Sequence, residues 1–170
     1  MKKINEQMEM KLLTADHLGE FNELLRYVFQ VTNYQLSETG WEVKEIEQEK
    51  RPILEKARVL GWFDRDKLVS QIATYPMSVN IHGKIFDMGG VTGVGTYPEY
   101  AQHGLMKALI LQALLDMRAA GQTISYLYPY SIPYYRKKGW ELISDKLTYT
   151  ITDAQLPKVV PVSGVVRRVE

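Results

Sequence analysis

The apolar positions of this 170-residue chain change period along its length, and the changes mark its elements. From Thr14 to Val31, Leu18, Phe21, Leu24, Leu25, Val28 and Phe29 recur three and four residues apart, which predicts an amphipathic helix with Thr14 or Asp16 as N-cap. From Gly40 to Lys56 the chain is dense in Glu and Lys, with Trp41, Val43, Ile46, Ile53 and Leu54 as sparse apolar points. This predicts a solvated helix interrupted or kinked at Pro52. After Arg58 the period shortens. Three β-branched and aromatic runs, VLGWF, LVSQIATYPMSVNI and KIFDMGGVTGVGT, are separated by DRDK and HG turns and predict an antiparallel meander of three strands.

Pro98 ends the meander, and a strongly apolar helix is expected from Gln102 to Ala119, stopped by Gly121. TISYLY then reads as a strand, Pro133 as the first turn of a short helix that Gly139 ends, and WELISDKLTYTIT as a final strand. The order helix, helix, meander, helix, strand, short helix, strand specifies an α/β (α+β) fold, a mixed and largely antiparallel sheet with packed helices. Residues 1–153 are expected to form one domain and 154–170 a linker or extended tail.

Composition narrows the function classes. Lys and Arg number 21 against 20 Asp and Glu, a net charge of +1, so no global field recruits nucleic acid or an anionic membrane. The chain has no Cys, which removes a thiolate nucleophile and thiolate metal sites. His17 and His82 read as surface histidines with no third ligand spaced to join them, so no metal is expected. No apolar run reaches membrane-spanning length, MKKINEQMEM lacks the apolar core of a signal peptide, and a cytoplasmic protein is expected.

The chemistry concentrates in two segments. In VTGVGTYPEYAQHGLMKALI, Val91 to Ile110, a glycine-bearing strand turns directly into a helix, whose first turn has free N–H groups and a partial positive charge suited to a phosphate. Gly104 allows close approach to the main chain, and His103 and Lys107 flank it; a packing role for the glycine is the alternative. Gly89, Gly90, Gly93 and Gly95 weaken an ordinary strand and suggest a bulge or a close backbone approach. In YPYSIPYYRKKGW, Tyr128 to Trp140, the tyrosines are either packed aromatics or, at one position, a proton donor. Arg136, Lys137 and Lys138 read as a solvated helix face able to assist phosphate binding.

These segments resemble the N-acetyltransferases of the GNAT superfamily, and within it the N-terminal domain of Eis-type (enhanced intracellular survival) enzymes. The family signature Q/R-x-x-G-x-G/A is matched in place by Ala101-Gln102-His103-Gly104-Leu105-Met106, with Ala101 and Met106 departing from it. The resemblance implies a splayed strand pair admitting acetyl-CoA as co-substrate, with helices on both faces of the sheet. Val94, Gly95 and Thr96 would meet the pantetheine arm, Gln102, His103, Gly104, Leu105, Met106 and Lys107 the phosphates, and Ser131 the thiol end. Tyr135, followed by Gly139 and Trp140, matches the family's general acid. The implied acceptor is an amine of an aminoglycoside, a polyamine or a protein lysine, attacked directly in a ternary complex. A homo-oligomer and C-terminal domains beyond this chain are also implied. Glu38, Glu42 and Glu45 stand as cation contacts or, more simply, as a charged exposed helix. The rival reading, prompted by Ala101, is a non-catalytic acyl-CoA-binding or regulatory domain.

Overall fold

A computed structural model of the chain describes residues 7–38, 40, 42–156, 158, 163–165 and 167–168. The segment weighed as a signal peptide lies partly outside them, as do Trp41 and much of the tail. Contacts divide the chain into two units, Met1–Trp140 and Glu141–Glu170.

The first unit is built on a five-stranded sheet in the order β1 (Met8–Leu12), β2 (Arg58–Asp64), β3 (Lys67–Ile81), β4 (Lys84–Thr96) and β5 (Ile124–Leu127). All pairs are antiparallel except β4 with β5. The meander forms where the alternation and the turns place it. Its second hairpin turns through His82 and Gly83, both at positive φ (49° and 85°), as a two-residue loop between right-twisted strands requires, and Asn80 Oδ1 accepts from Gly83 N at 2.8 Å. Strand β1 was not expected. Met8, Met10 and Leu12 alternate with Glu9 and Lys11 and pair it to β2 at the sheet edge.

Alternation along β2 and β3 divides the core between two faces. Val59, Val69 and Ala73 join Phe21 and Leu24 of α1 (Leu18–Val28) on one side; Leu60, Ile72 and Val91 meet Leu109, Ile110, Ala113 and Met117 of α5 (Leu105–Ala119) on the other. The first predicted helix is thus present, preceded by a short 3-10 turn over Ala15–His17. The second, expected over residues 40–56, is interrupted as foreseen and stands as two short helices, α3 (Val43–Gln48) and α4 (Arg51–Lys56), preceded by an unforeseen short helix, α2 (Asn33–Ser37). Pro52 occupies the first turn of α4, where its missing N–H would be unpaired anyway; it starts a helix rather than kinking one. The last helix of the unit is α6 (Ile132–Arg136), which Pro133 opens in the same way.

The final strand expected over residues 140–152 does not form. Residues 141–152 of the second unit are in no ladder, and Leu142, Ile143, Leu147, Tyr149 and Ile151 are exposed. Alternation supplies a face but not the neighbouring strand that must satisfy the backbone, and no described strand pairs with this segment. That unit's regular element is a 3-10 turn, Asp153–Gln155, with a capping box between Thr152 and Gln155.

Candidate functional site

The site begins where a ladder stops. The parallel pairing of β4 with β5 runs from Met88–Ile124 to Val91–Leu127 and ends there, while β4 continues to Thr96 with no strand beside it on that edge among the described residues. The gap opens into a cleft of 1010 Å³, walled by Val91 to Thr96 on one side and by Leu127, Tyr128, Tyr130 and Ser131 on the other. Unpaired strand edge presents N–H and C=O groups that an extended, amide-bearing ligand can satisfy.

Strand β4 is bent at the same place. Gln71 pairs with Gly95 and Ala73 with Thr92, so three steps of β4 face two of β3: a bulge that falls at Gly93 and Val94. Gly93 has φ 60°, and a Cβ there would lie 3.1 Å from Phe21 Cζ. At Gly95 a Cβ would lie 2.6 Å from Leu24 Cδ2. The glycines expected to signal a bulge therefore do so at Gly93, and those at 93 and 95 also let α1 lie directly on the strand. Ser70 Oγ donates to Gly95 O at 3.2 Å and bonds Thr96 Oγ1 at 2.7 Å, fixing the strand end from beneath.

One end of the cleft is the start of α5. After a 3-10 turn at Pro98–Tyr100, Gln102 takes φ 64° and Gly104 φ 83° as the helix N-cap. A left-handed N-cap is comfortable for glycine and strained for other residues, so Gly104 is required by the turn itself. Gln102, Gly104, Leu105, Met106 and Lys107 all line the cleft, as does Ala101. The first-turn amides of a fifteen-residue helix, with no acidic side chain there, make this end electropositive. His103 is the exception among the expected contacts: it does not line the cleft, and its Nδ1 is buried without a hydrogen-bond partner among the described residues.

The other wall is carried by α6. Tyr135 lines the cleft and is 8% exposed. Its ring meets Tyr134 and Trp140 edge-on at 5.2 and 6.1 Å, and its carbonyl accepts from Lys138 N and Trp140 N. Trp140 Nε1 in turn donates to Ser125 Oγ at 3.2 Å, and that hydroxyl donates to Gly89 O at 3.0 Å. A chain of contacts thus ties the tyrosine to the paired part of β4 and β5. Burial, and secondarily the neighbouring Tyr134, raises the Tyr135 pKa above its ordinary value, so the phenol stays protonated through neutral and mildly basic pH. Burial raises Tyr134 as well.

Several lining residues were not foreseen. Val28 and Phe29, from the end of α1, reach the cleft through the same close packing that Gly95 permits, and nothing in their local sequence announces it. Tyr100, Tyr128, Tyr130 and Tyr134 add aromatic surface; Lys138 lines the cleft, whereas Arg136 and Lys137 do not. Glu42 and Glu45 are occupied in the capping box of α3, Glu42 N donating to Glu45 Oε2 at 2.8 Å, and neither they nor Glu38 line the cleft. Among the described residues there is no group of three or more His, Cys, Asp or Glu able to hold a metal ion, and no helix is long and apolar enough to cross a membrane.

Comparison with known proteins follows this geometry. The family model described as an acetyltransferase (GNAT) domain matches residues 9–143. No curated protein matches the sequence. Among solved structures, the chain is similar to a probable N-acyltransferase of unknown function from Enterococcus faecalis V583, with 28% identity and TM-score 0.67 over 78% of this chain and 32% of that one. It is similar in fold to a GCN5-related N-acetyltransferase from Kribbella flavida, with 23% identity, TM-score 0.63, and coverage of 78% and 33%. It also shares a fold with a predicted acetyltransferase from Clostridium acetobutylicum whose crystal structure contains acetyl-CoA, with 14% identity, TM-score 0.65, and coverage of 84% and 96%. The chain spans about a third of the length of the Enterococcus protein.

Proposed function

Because the chain belongs to the GNAT acetyltransferase family, whose members use acetyl-CoA, we propose that its cleft binds acetyl-CoA and transfers the acetyl group to a primary amine in a ternary complex. The observation that carries this reading is the cleft itself: a gap opening where the β4–β5 ladder ends, with a helix N-terminus at one end and a buried, protonated tyrosine at the other.

In this reading the pantetheine amides pair with the free edge of β4 at Val94, Gly95 and Thr96, and the phosphates meet the amides of Gly104 to Lys107 with Gln102 alongside. Ser131 faces the thiol end. In the same reading a backbone N–H near Val94, at the bulge, polarises the thioester carbonyl and stabilises the oxyanion, a role supported by the break in the ladder there.

The amine lone pair attacks the carbonyl carbon; a C–N bond forms, the C–S bond breaks, the nitrogen gives up one proton to solvent, and the sulfur gains one. Tyr135 is the donor to sulfur, a role supported by its match to the Eis-type stretch that ends at Gly139 and Trp140. Burial raises the Tyr135 phenol above its ordinary value, which makes it a weaker acid than a free phenol, so complete proton transfer to the sulfur is not strongly driven. The tyrosine therefore acts mainly by hydrogen bonding to charge that develops on sulfur, and any tyrosinate is quickly reprotonated.

Calorimetric titration of acetyl-CoA, followed by thiol release on adding amines, tests the assignment. Binding with CoA release is expected. Binding without release for any amine would point to an acyl-CoA-binding module, and absence of binding would refute the reading.

A further inference from the structure

Resting on the reading that the start of α5 meets the phosphates of acetyl-CoA, we infer that Asp64 and Tyr100 are positioning residues for the cofactor. Together they form a clamp between the β2–β3 hairpin and the turn from Pro98 to Gly104, and the clamp keeps that turn in its binding shape.

The turn needs holding. Gln102 lines the cleft at φ 64°, a left-handed conformation that costs a side chain energy and persists where its surroundings impose it. On its C-terminal side Leu105 is buried in the core. On its N-terminal side Tyr97 N bonds Val69 O of β3, whereas Tyr100 N and Ala101 N bond back within the turn, to Tyr97 O and Pro98 O, all at 3.0 Å. A side chain makes the next tie to the sheet: Tyr100 Oη donates to Asp64 Oδ2 at 2.9 Å.

Asp64 is a firm partner. It is the last residue of β2, paired with Met8 of β1 on one side and with Lys67 of β3 on the other. Lys67 reaches the same turn: its Nζ lies 3.5 Å from Glu99 Oε1 and 4.9 and 5.8 Å from the ring centroids of Tyr97 and Tyr100. That ion pair is exposed and contributes little, whereas the Tyr100–Asp64 bond is half-buried and charge-assisted. The bond to Asp64, and after it burial, raises the Tyr100 pKa, so this lining tyrosine has its proton committed to the protein. A carboxylate near a phosphate site repels the ligand by simple charge, so attraction does not account for Asp64; its use is as a hydrogen-bond acceptor.

Without the clamp the free protein samples other shapes of the turn, and the apparent Kd rises as the competent fraction falls. The test is calorimetric titration of acetyl-CoA, and of S-acetylpantetheine to millimolar concentration, into the wild type, Tyr100→Phe, Asp64→Ala and Asp64→Asn. Tyr100→Phe keeps the ring that packs against the core. Tyr100→Phe and Asp64→Ala should each weaken acetyl-CoA about tenfold and leave S-acetylpantetheine, which lacks the phosphates, unchanged. Asp64→Asn keeps an acceptor oxygen and drops the charge, and should bind acetyl-CoA at least as tightly as the wild type. Wild-type affinity in Tyr100→Phe, equal weakening of both ligands, or an Asp64→Asn protein as weak as Asp64→Ala would each overturn the clamp and leave the cofactor assignment standing. A wild type that does not bind acetyl-CoA would overturn both.

Discussion

Replacing Gly95 by Ala adds one methyl group where Leu24 Cδ2 lies 2.6 Å from the new carbon and Val28 Cγ2 lies 3.3 Å away. Carbon atoms rest about 3.5–4.0 Å apart, so the first contact overlaps by roughly 1 Å. Leu24 is fully buried, and α1 or its rotamer must give way, at a cost of about 1–3 kcal/mol. Leu24→Ala alone removes a buried side chain and should cost about 2–5 kcal/mol. The double variant should not cost the sum: the atom that clashes is gone, and the methyl at 95 partly fills the hole. A coupling of about 1–3 kcal/mol is expected, which leaves the double variant no less stable than Leu24→Ala. Urea unfolding of the four proteins, compared at constant m-value, measures it. Additivity within about 0.5 kcal/mol would refute the claim that Gly95 is held by the approach of α1.

Two further outcomes concern the reaction. Tyr135→Phe should lower kcat by about a hundredfold or more while acetyl-CoA binding changes little, read by thiol release and calorimetry. Since the Tyr135 pKa is raised, its donor form is lost only as pH climbs through that raised value, so kcat should show no basic limb through neutral and mildly basic pH; a basic limb near pH 8 would contradict the assignment. Ala101→Arg places a guanidinium beside the start of α5 and should tighten acetyl-CoA about tenfold by calorimetry, with S-acetylpantetheine, which lacks the phosphates, unaffected.

The meander was legible because three signals agree in it: β-branched runs, polar turns and the lengths between them. Strand β1 was not, since five residues with a half-exposed pattern at a sheet edge differ little from a polar terminus until β2 is beside them. The expected strand after Trp140 fails from the opposite cause, a good alternation at Leu147, Tyr149 and Ile151 with no ladder to join. In the cleft, the turn at Gly104 and the stretch around Tyr135 were readable as motifs. Val28 and Phe29 were not, because their place depends on a helix and a strand distant in sequence meeting through glycine. His103, expected beside the phosphates, is not among the residues lining the cleft, for a reason no spacing rule carries: Gln102 and Gly104, both at positive φ, turn the chain on either side of it.

Strand β5 is joined to the sheet by four parallel pairs, and every residue of the far wall from Tyr128 to Lys138 hangs from its end. Short terminal ladders open at far lower free energy than a core does. The wall would then behave as a leaf on a narrow hinge: fraying of those few bonds widens the groove without a separate lid, and a molecule bridging both strands acts as the latch. Substitutions at Ser125, whose hydroxyl links Gly89 to Trp140 across the hinge line, should be felt first as faster escape of the bound molecule rather than as loss of fold.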